Sequence, residues 1–175
     1  MSEFDSAAEV ERMAALYGTP SRDERPIAHL RQPPCAIESE QSVLGALMIR
    51  NDALPLVADW LRADDFYRRD HQLIYGAIIE AASRDEPFDS VTLGEWFEAN
   101  GQAEMVAGGS YLVELQSTTP SAANIVAYAE IVREKSQLRR LIGLGTEMVN
   151  HGFQPEGRRS GEIALAASSE ILDMT

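Results

Sequence analysis

The chain has 175 residues, of which 45% are hydrophobic, 25% charged and 7% aromatic. It is long enough to bury roughly 70% of its unfolded surface without a disulfide or a metal, and its composition excludes a disordered or fibrous protein. Twenty-eight acids against fifteen bases leave a net charge of −13, which argues against a free-standing nucleic-acid binder, since such a protein draws most of its affinity from a basic face.

Residues 1–32 mix charge, alanine and proline, and Gly18-Thr19-Pro20 with Pro26 interrupts a short helix around Ala7 to Tyr17. The segment reads as a flexible tail. It lacks the basic start and apolar centre of a signal peptide, and no apolar run in the chain approaches the ~20 residues of a membrane span. The single cysteine, Cys35, makes no internal bridge, so the expected address is cytoplasmic.

From Pro33 apolar residues recur at helical spacing and the expected fold is all-α. A globular head of short helices spans 33–119, with fifteen acids and five bases. Val43, Leu44, Leu47 and Met48 predict a helix over Glu38 to Ile49, with Glu38 and Glu40 in the first turn, where the helix dipole favours carboxylates. Ala53 to Leu61 reads as a short helix. Asp70 is the expected N-cap of a helix carrying Leu73, Ile74, Ala77 and Ile78 to about Ala82. Asp89 caps another through Leu93 and Phe97, which Asn100-Gly101 ends in a left-handed stop. A further short helix is expected over Gly109 to Ser117, and the head core is read as Val43, Leu47, Phe66, Leu73, Ile78 and Phe97.

Residues 120–175 differ in kind. Thr119 as N-cap and Pro120 in the first turn open a pattern without interior proline up to Gly152. After the turn 152–160, Ser160 caps a final helix with Ile163, Ala167, Ile171 and Met174, so the segment reads as a long antiparallel helical hairpin. Leu138, Leu141, Gly145 and Met148, spaced by 3, 4 and 3, predict the seam.

Catalytic patterns are missing. The chain's one lysine, Lys135, is followed by Ser136, but Ala129 and Glu134 stand where a phosphate-binding loop needs glycines. Gly143-Leu144-Gly145 starts a dinucleotide-binding pattern that Met148 breaks. Asp64, Asp65, Asp70 and His71 are the densest polar cluster, yet no second histidine completes a metal-ligand pair, and capping and turn roles explain the carboxylates better. No catalytic, cofactor-binding or metal residue is assigned.

Four runs carry a resemblance: PPCAIESEQSVLGALM from Pro33, DDFYRRDHQLIYGAI from Asp64, PFDSVTLGEWFEANGQ from Pro87 and GGSYLVELQSTTPSAANIVAYAEIVREK from Gly108. In order and spacing they resemble the N-terminal domain of the bacterial replicative DNA helicase, the DnaB family, over about 33 to 175. Asp70 departs from the family, which often has proline there, and the segment before Pro33 is an extension.

The resemblance implies a collar. Such domains pair through their hairpins, assemble as a trimer of dimers, and dock the C-terminal helical domain of primase. The parent protein would continue through a linker into a RecA-like motor domain, an ATP-dependent DNA helicase, and ATP and Mg would belong there. The chain alone is expected to have no cofactor, no enzymatic activity, no membrane contact and no strong direct nucleic-acid binding. The expected partner and assembly surface is Glu38, Tyr111, Leu138, Leu141, Ile142 and Met148, with the hairpin seam facing Ala164, Ala167 and Ser168 and apolar surface left for a second copy. The alternatives are a stand-alone acidic helical adaptor, distinguished by the absence of a motor domain from the parent gene, and a small hydrolase using Asp64, Asp65 and His71.

Overall fold

The structure is a computed structural model and describes residues 32–119 and 121–173. The chain divides into Met1–Pro33 and Pro34–Thr175, and the fold below is that of the second unit. The expectations for the tail, for Pro120 and for Met174 lie outside the described residues.

Six α-helices and no strand occur among the described residues: α1 Ile37–Ile49, α2 Arg69–Ser83, α3 Ser90–Ala99, α4 Ser110–Thr118, α5 Ile125–Phe153 and α6 Ser160–Asp173. Short 3-10 segments at Asn51–Leu56, Ala63–Asp65 and Ala103–Gly109 join the first four. The all-α expectation holds.

Helix α1 is the axle of the head. Six consecutive residues, Val43 to Met48, are buried, so this part of the helix is enclosed on all sides, and the helix packs against α2, α4 and α5. Gly45 is where α4 comes closest: a Cβ there would lie 1.9 Å from Thr119 Oγ1 and 2.4 Å from the Leu115 carbonyl oxygen. Phe66, Leu93, Phe97, Leu112 and Leu115 belong with the α1 residues to one buried core, each contributing about 1.5–3 kcal/mol on full burial. Of the expected core, Leu73 is only half-buried.

Local chemistry ends the helices as expected in some places and not in others. Asp89 Oδ1 accepts from the Val91 and Thr92 amides at 2.9 Å each, while Thr92 Oγ1 accepts from the Asp89 amide at 2.9 Å, a reciprocal capping box. Gly101, with φ +67°, lets the Gln102 amide reach back to the Phe97 carbonyl at 2.8 Å, the left-handed stop expected. Pro55 limits Asn51–Leu56 to a 3-10 turn in place of the helix expected over Ala53 to Leu61.

Three capping expectations are corrected. Asp70 lies inside the first turn of α2; Arg68 occupies the N-cap position, and Asp70 Oδ1 takes the His71 amide at 2.9 Å and Arg68 Nε at 3.0 Å. Thr119 closes α4 rather than opening the long helix. Its hydroxyl donates to the Leu115 carbonyl at 2.8 Å within the pocket left by Gly45, and α5 starts only after Asn124. Helix α6 begins at Ser160, but the carbonyl receiving its first amides is that of Arg159, at 2.9 and 3.2 Å, which puts the N-cap one residue before the position expected.

The 29 residues of α5 run for roughly 44 Å. Its first half lies on the head through Ile125, Ala129, Val132 and Ser136, all buried and spaced by 4, 3 and 4, a single helical stripe. Its second half pairs with α6.

Candidate partner-binding surface

On the head, Glu40 of α1, His71 of α2 and Tyr111 of α4 meet. His71 Nδ1 is 2.7 Å from Glu40 Oε2, and His71 Nε2 is 2.6 Å from the Tyr111 hydroxyl. Glu40 and His71 are buried. Glu40 also accepts from the Tyr67 amide at 2.8 Å and the Arg68 amide at 3.4 Å, and Gln41 Nε2 donates to the Tyr111 hydroxyl at 3.2 Å. A carboxylate so placed is fully hydrogen-bonded, the condition for keeping a charge out of water. In the tautomer that satisfies every group, Nδ1–H donates to Glu40, the Tyr111 hydroxyl donates to Nε2 and Gln41 donates to the tyrosine oxygen, so the chain of bonds closes without an orphan.

Tyr111 is thus half-buried, with its hydroxyl turned inward and the Arg68 guanidinium 5.1 Å from its ring centre. Burial pushes its phenol above the usual tyrosine range, and the Gln41 bond and Arg68 charge only partly offset this. Burial works against the Asp70 carboxylate too, but the Arg68 bond and nearby His71 outweigh it and hold the group low. Tyr75, deeper in the core, bonds the Leu61 carbonyl at 3.1 Å and is pushed up to about 12 by burial. A protonated, hydrogen-bonding role suits both phenols.

The buried network escaped the sequence reading, which gave His71 no partner. One signal was there: His71, Ile74, Tyr75 and Ile78 stand at i, i+3, i+4 and i+7, so His71 belongs to the buried face of α2 and needs a partner. Tyr111 was singled out, but its role as the outer end of this network was not. Glu38 sits on the exposed side of α1, where its carbonyl receives Ser42 Oγ at 2.7 Å.

The 59–66 turn is fastened to α5 by arginines. Arg133 Nη1 donates to the Trp60 carbonyl at 2.6 Å; Arg139 donates to the carbonyls of Asp65 at 2.5 Å and Pro34 at 2.8 Å. Arg140 pairs with Asp64 at 3.0 Å and Asp65 at 3.4 Å. Asp64 and Asp65 therefore hold a helix, an arrangement that leaves neither poised with His71 for hydrolysis. No group of three His, Cys, Asp or Glu side chains among the described residues could hold a metal ion, and no helix among them is long and apolar enough to cross a membrane.

On the hairpin, the expected seam is shifted. Leu144 of α5 and Ala167 of α6 are buried, and a cleft of about 100 Å³ bounded by Leu144, Met148, His151, Ile163 and Ala167 marks the contact. Of the proposed residues, Leu138 is half-buried, Met148 borders the seam while 44% exposed, and Leu141 and Ile142 are 47% and 57% exposed. Ala164 and Ser168 are exposed, and the Ser168 hydroxyl bonds the Ala164 carbonyl at 2.8 Å. The helical period accounts for Ile142, which lies two residues from Leu144 and so points to the other side, whereas Leu141, three residues away, keeps the seam side and is exposed at its edge. Val149, Phe153, Leu165 and Leu172 join them, all more than half exposed. What the hairpin offers chemically is two helices that each carry exposed apolar side chains in an acidic chain, and the head offers a polar face backed by a buried hydrogen-bond network.

Comparison with known proteins places these features. The family model described as the DnaB-like helicase N-terminal domain matches residues 32–134, more than half of the chain. The chain is 43% identical over 145 residues to the replicative DNA helicase DnaB of Mycobacterium leprae, covering 82% of itself and 24% of that protein. The DnaB helicase of Haemophilus influenzae is 38% identical over 160 residues, with 91% and 34% covered. The chain spans about a quarter to a third of the length of these relatives. The crystal structure of the N-terminal domain of DnaB helicase from Mycobacterium tuberculosis superimposes with a TM-score of 0.76 at 43% identity, over 81% of this chain and 99% of that one. A DnaB-like replicative helicase, solved in a study of its interactions with primase, shares the fold with a TM-score of 0.63 at 20% identity, over 80% and 32% of the two chains. The chain belongs to the DnaB-like helicase N-terminal domain family.

Proposed function

We propose that the chain is the collar of a replicative DNA helicase, which pairs with a second copy through its hairpin, assembles as a trimer of dimers and docks primase. The observation that carries this reading is the apolar surface of α5 and α6. Two helices whose mutual contact buries Leu144 and Ala167 leave Leu141, Ile142, Val149, Phe153, Leu165 and Leu172 in water, and such surface is best covered by another protein face. Family membership supports the parent's being an ATP-dependent DNA-unwinding enzyme of the cytoplasm. ATP and Mg are assigned to a RecA-like motor domain of that parent, because no part of this sequence carries the phosphate-binding pattern. Primase is the proposed docking partner by analogy with the fold neighbour described with it, and its C-terminal helical domain is the piece expected to bind. Leu138, Leu141, Ile142 and Met148 are assigned to pairing, with Glu38 and Tyr111 on the docking face.

The test is sedimentation across a concentration series, with Ile142→Asp plus Met148→Asp beside the parent chain. Two desolvated carboxylates each cost several kcal/mol, so the dimer should dissociate at least about 100-fold more readily while the head keeps its melting transition. Unchanged mass would refute hairpin pairing. Loss of primase binding along with the dimer places the docking site across two copies; retained binding by the monomer confines it to one head.

A further inference from the structure

Beside the family surfaces lies a second recess, where the 59–65 turn meets the outer side of α5. It is a cavity of about 410 Å³ with Trp60 on its wall, bounded by Arg62, Arg133 and Arg140 and equally by Asp59, Asp64 and Asp65, and Trp60 and Arg133 also line an open cleft of about 400 Å³ reaching Val126. The floor is built. Trp60 Nε1 donates to the Leu56 carbonyl at 3.2 Å, Arg133 Nη1 donates to the Trp60 carbonyl at 2.6 Å, and the Arg133 guanidinium stands 5.8 Å from the Trp60 ring centre.

The charges in the recess are unevenly matched. Arg140 is neutralised by Asp64 and Asp65. Among the described residues, Arg62 and Arg133 have no carboxylate within ion-pairing distance; Arg62 is exposed, and Arg133 is half-buried. A partly desolvated guanidinium with its remaining N–H groups facing a cavity is stabilised by an incoming two-oxygen anion, which it binds in its own plane. The Trp60 ring beside it suits an aliphatic stem.

The rim narrows the choice of ligand. Asp59, Glu130 and Glu134 border the two cavities and are exposed, so they repel a polyphosphate and attract cations on either side of the anion. The geometry points to a docking recess for one glutamate or aspartate side chain of a partner protein, seated between Arg62 and Arg133 over Trp60 and flanked on that partner by lysine or arginine. None of the residues assigned to pairing lines this recess, although Gln137 and Arg140 adjoin Leu138 and Leu141 in α5.

The test uses the full chain, labelled with nitrogen-15, and follows the Trp60 indole signal, identified by the Trp96→Phe variant. The first probe is a blocked helical peptide with one glutamate and a lysine three residues to each side. The second has three glutamates in the same positions, and the third is a twelve-residue oligothymidylate. The mixed-charge peptide should shift the indole saturably with a Kd of about 1 mM or tighter, and the all-acidic peptide should bind at least threefold more weakly. Arg62→Gln, which breaks none of the hydrogen bonds described, should weaken the first peptide at least fivefold. Glu130→Gln with Glu134→Gln should abolish the preference between the peptides. No saturable shift, or a shift insensitive to Arg62→Gln, overturns the proposal. Tighter binding of the oligothymidylate through the same arginines also overturns it, in favour of a nucleic-acid groove.

Discussion

The head and the outer half of the hairpin are built from similar residues and behave oppositely. In the head nearly every large apolar side chain of α1, α2 and α4 that turns inward is buried, and even a carboxylate and an imidazole are enclosed with their partners. Beyond Ser136, α5 and α6 bury Leu144 and Ala167 while Ile142, Val149, Phe153, Leu165 and Leu172 stand in water. Three helices packed on α1 give its apolar residues neighbours on every side; two helices side by side cannot. The head is therefore complete as a single copy, and the hairpin is complete only against something else.

That contrast can be broken hardest at Gly45. Gly45→Val places methyl groups where the Thr119 hydroxyl and Leu115 carbonyl already stand, and α1 cannot retreat because it is packed on all sides. A loss of about 4 kcal/mol or more is expected, seen as the disappearance of a cooperative thermal transition by circular dichroism. A melting temperature within a few degrees of the parent's would mean that α1 and α4 are more loosely joined than their contact distance implies.

The buried network comes next. His71→Ala leaves the Glu40 carboxylate enclosed with two backbone amides and no imidazole, at a cost of about 3 kcal/mol. Glu40→Gln with His71→Leu, which removes the charge and its partner together, should recover part of that in urea unfolding. If the double variant is no better than His71→Ala, the pair is not what fixes α1 to α2.

Smaller effects sharpen the comparison. Asp89→Ala removes a cap and should cost about 1 kcal/mol at neutral pH. The Thr92 amide, chiefly, holds the Asp89 carboxyl below its usual range, against some burial. Its folded-state value lies below the unfolded one of about 3.9. The contribution is therefore present above that value and is lost as pH falls through the depressed one. The stability gap between parent and variant should close on acidification below about pH 4; a gap constant down to pH 2 would contradict the cap. On the hairpin, Gly145→Ala meets nothing within 4 Å and should stabilise α5 by up to about 1 kcal/mol by helix propensity. If sedimentation shows weaker pairing at the same time, the glycine lies under a second copy.

How much of this was readable in the sequence depended on distance along the chain. Helix α3 was legible because Asp89, Thr92, Asn100 and Gly101 act on neighbours within a few residues. Thr119 misled because a threonine before proline has the look of an N-cap, while its actual partner, the Leu115 carbonyl, is reached in a pocket opened by Gly45, 74 positions away. Asp70 misled in the same way, since Glu40 supplies the entry of α2 from another helix. Glu40, His71 and Tyr111 are separated by 31 and 40 positions, a spacing with no local signature. The hairpin was legible as a hairpin, but its seam was set by which α5 residue meets Ala167, and that register is tertiary information.

The attachment of α5 sets its mechanics. Its buried stripe ends at Ser136, and the last arginine bonds to the head come from Arg139 and Arg140. The 13 residues from Leu141 to Phe153 extend the helix for roughly 20 Å past its moorings. A rod fixed at one end converts angle into displacement, so a tilt of about 10° at the anchored end carries the tip some 3–4 Å, by the same rise per residue. Arg133 and Arg139 grip main-chain carbonyls at Trp60, Asp65 and Pro34, so a force applied at the tip is delivered to the backbone of the 59–65 turn as well as to the Asp64 and Asp65 side chains that Arg140 holds.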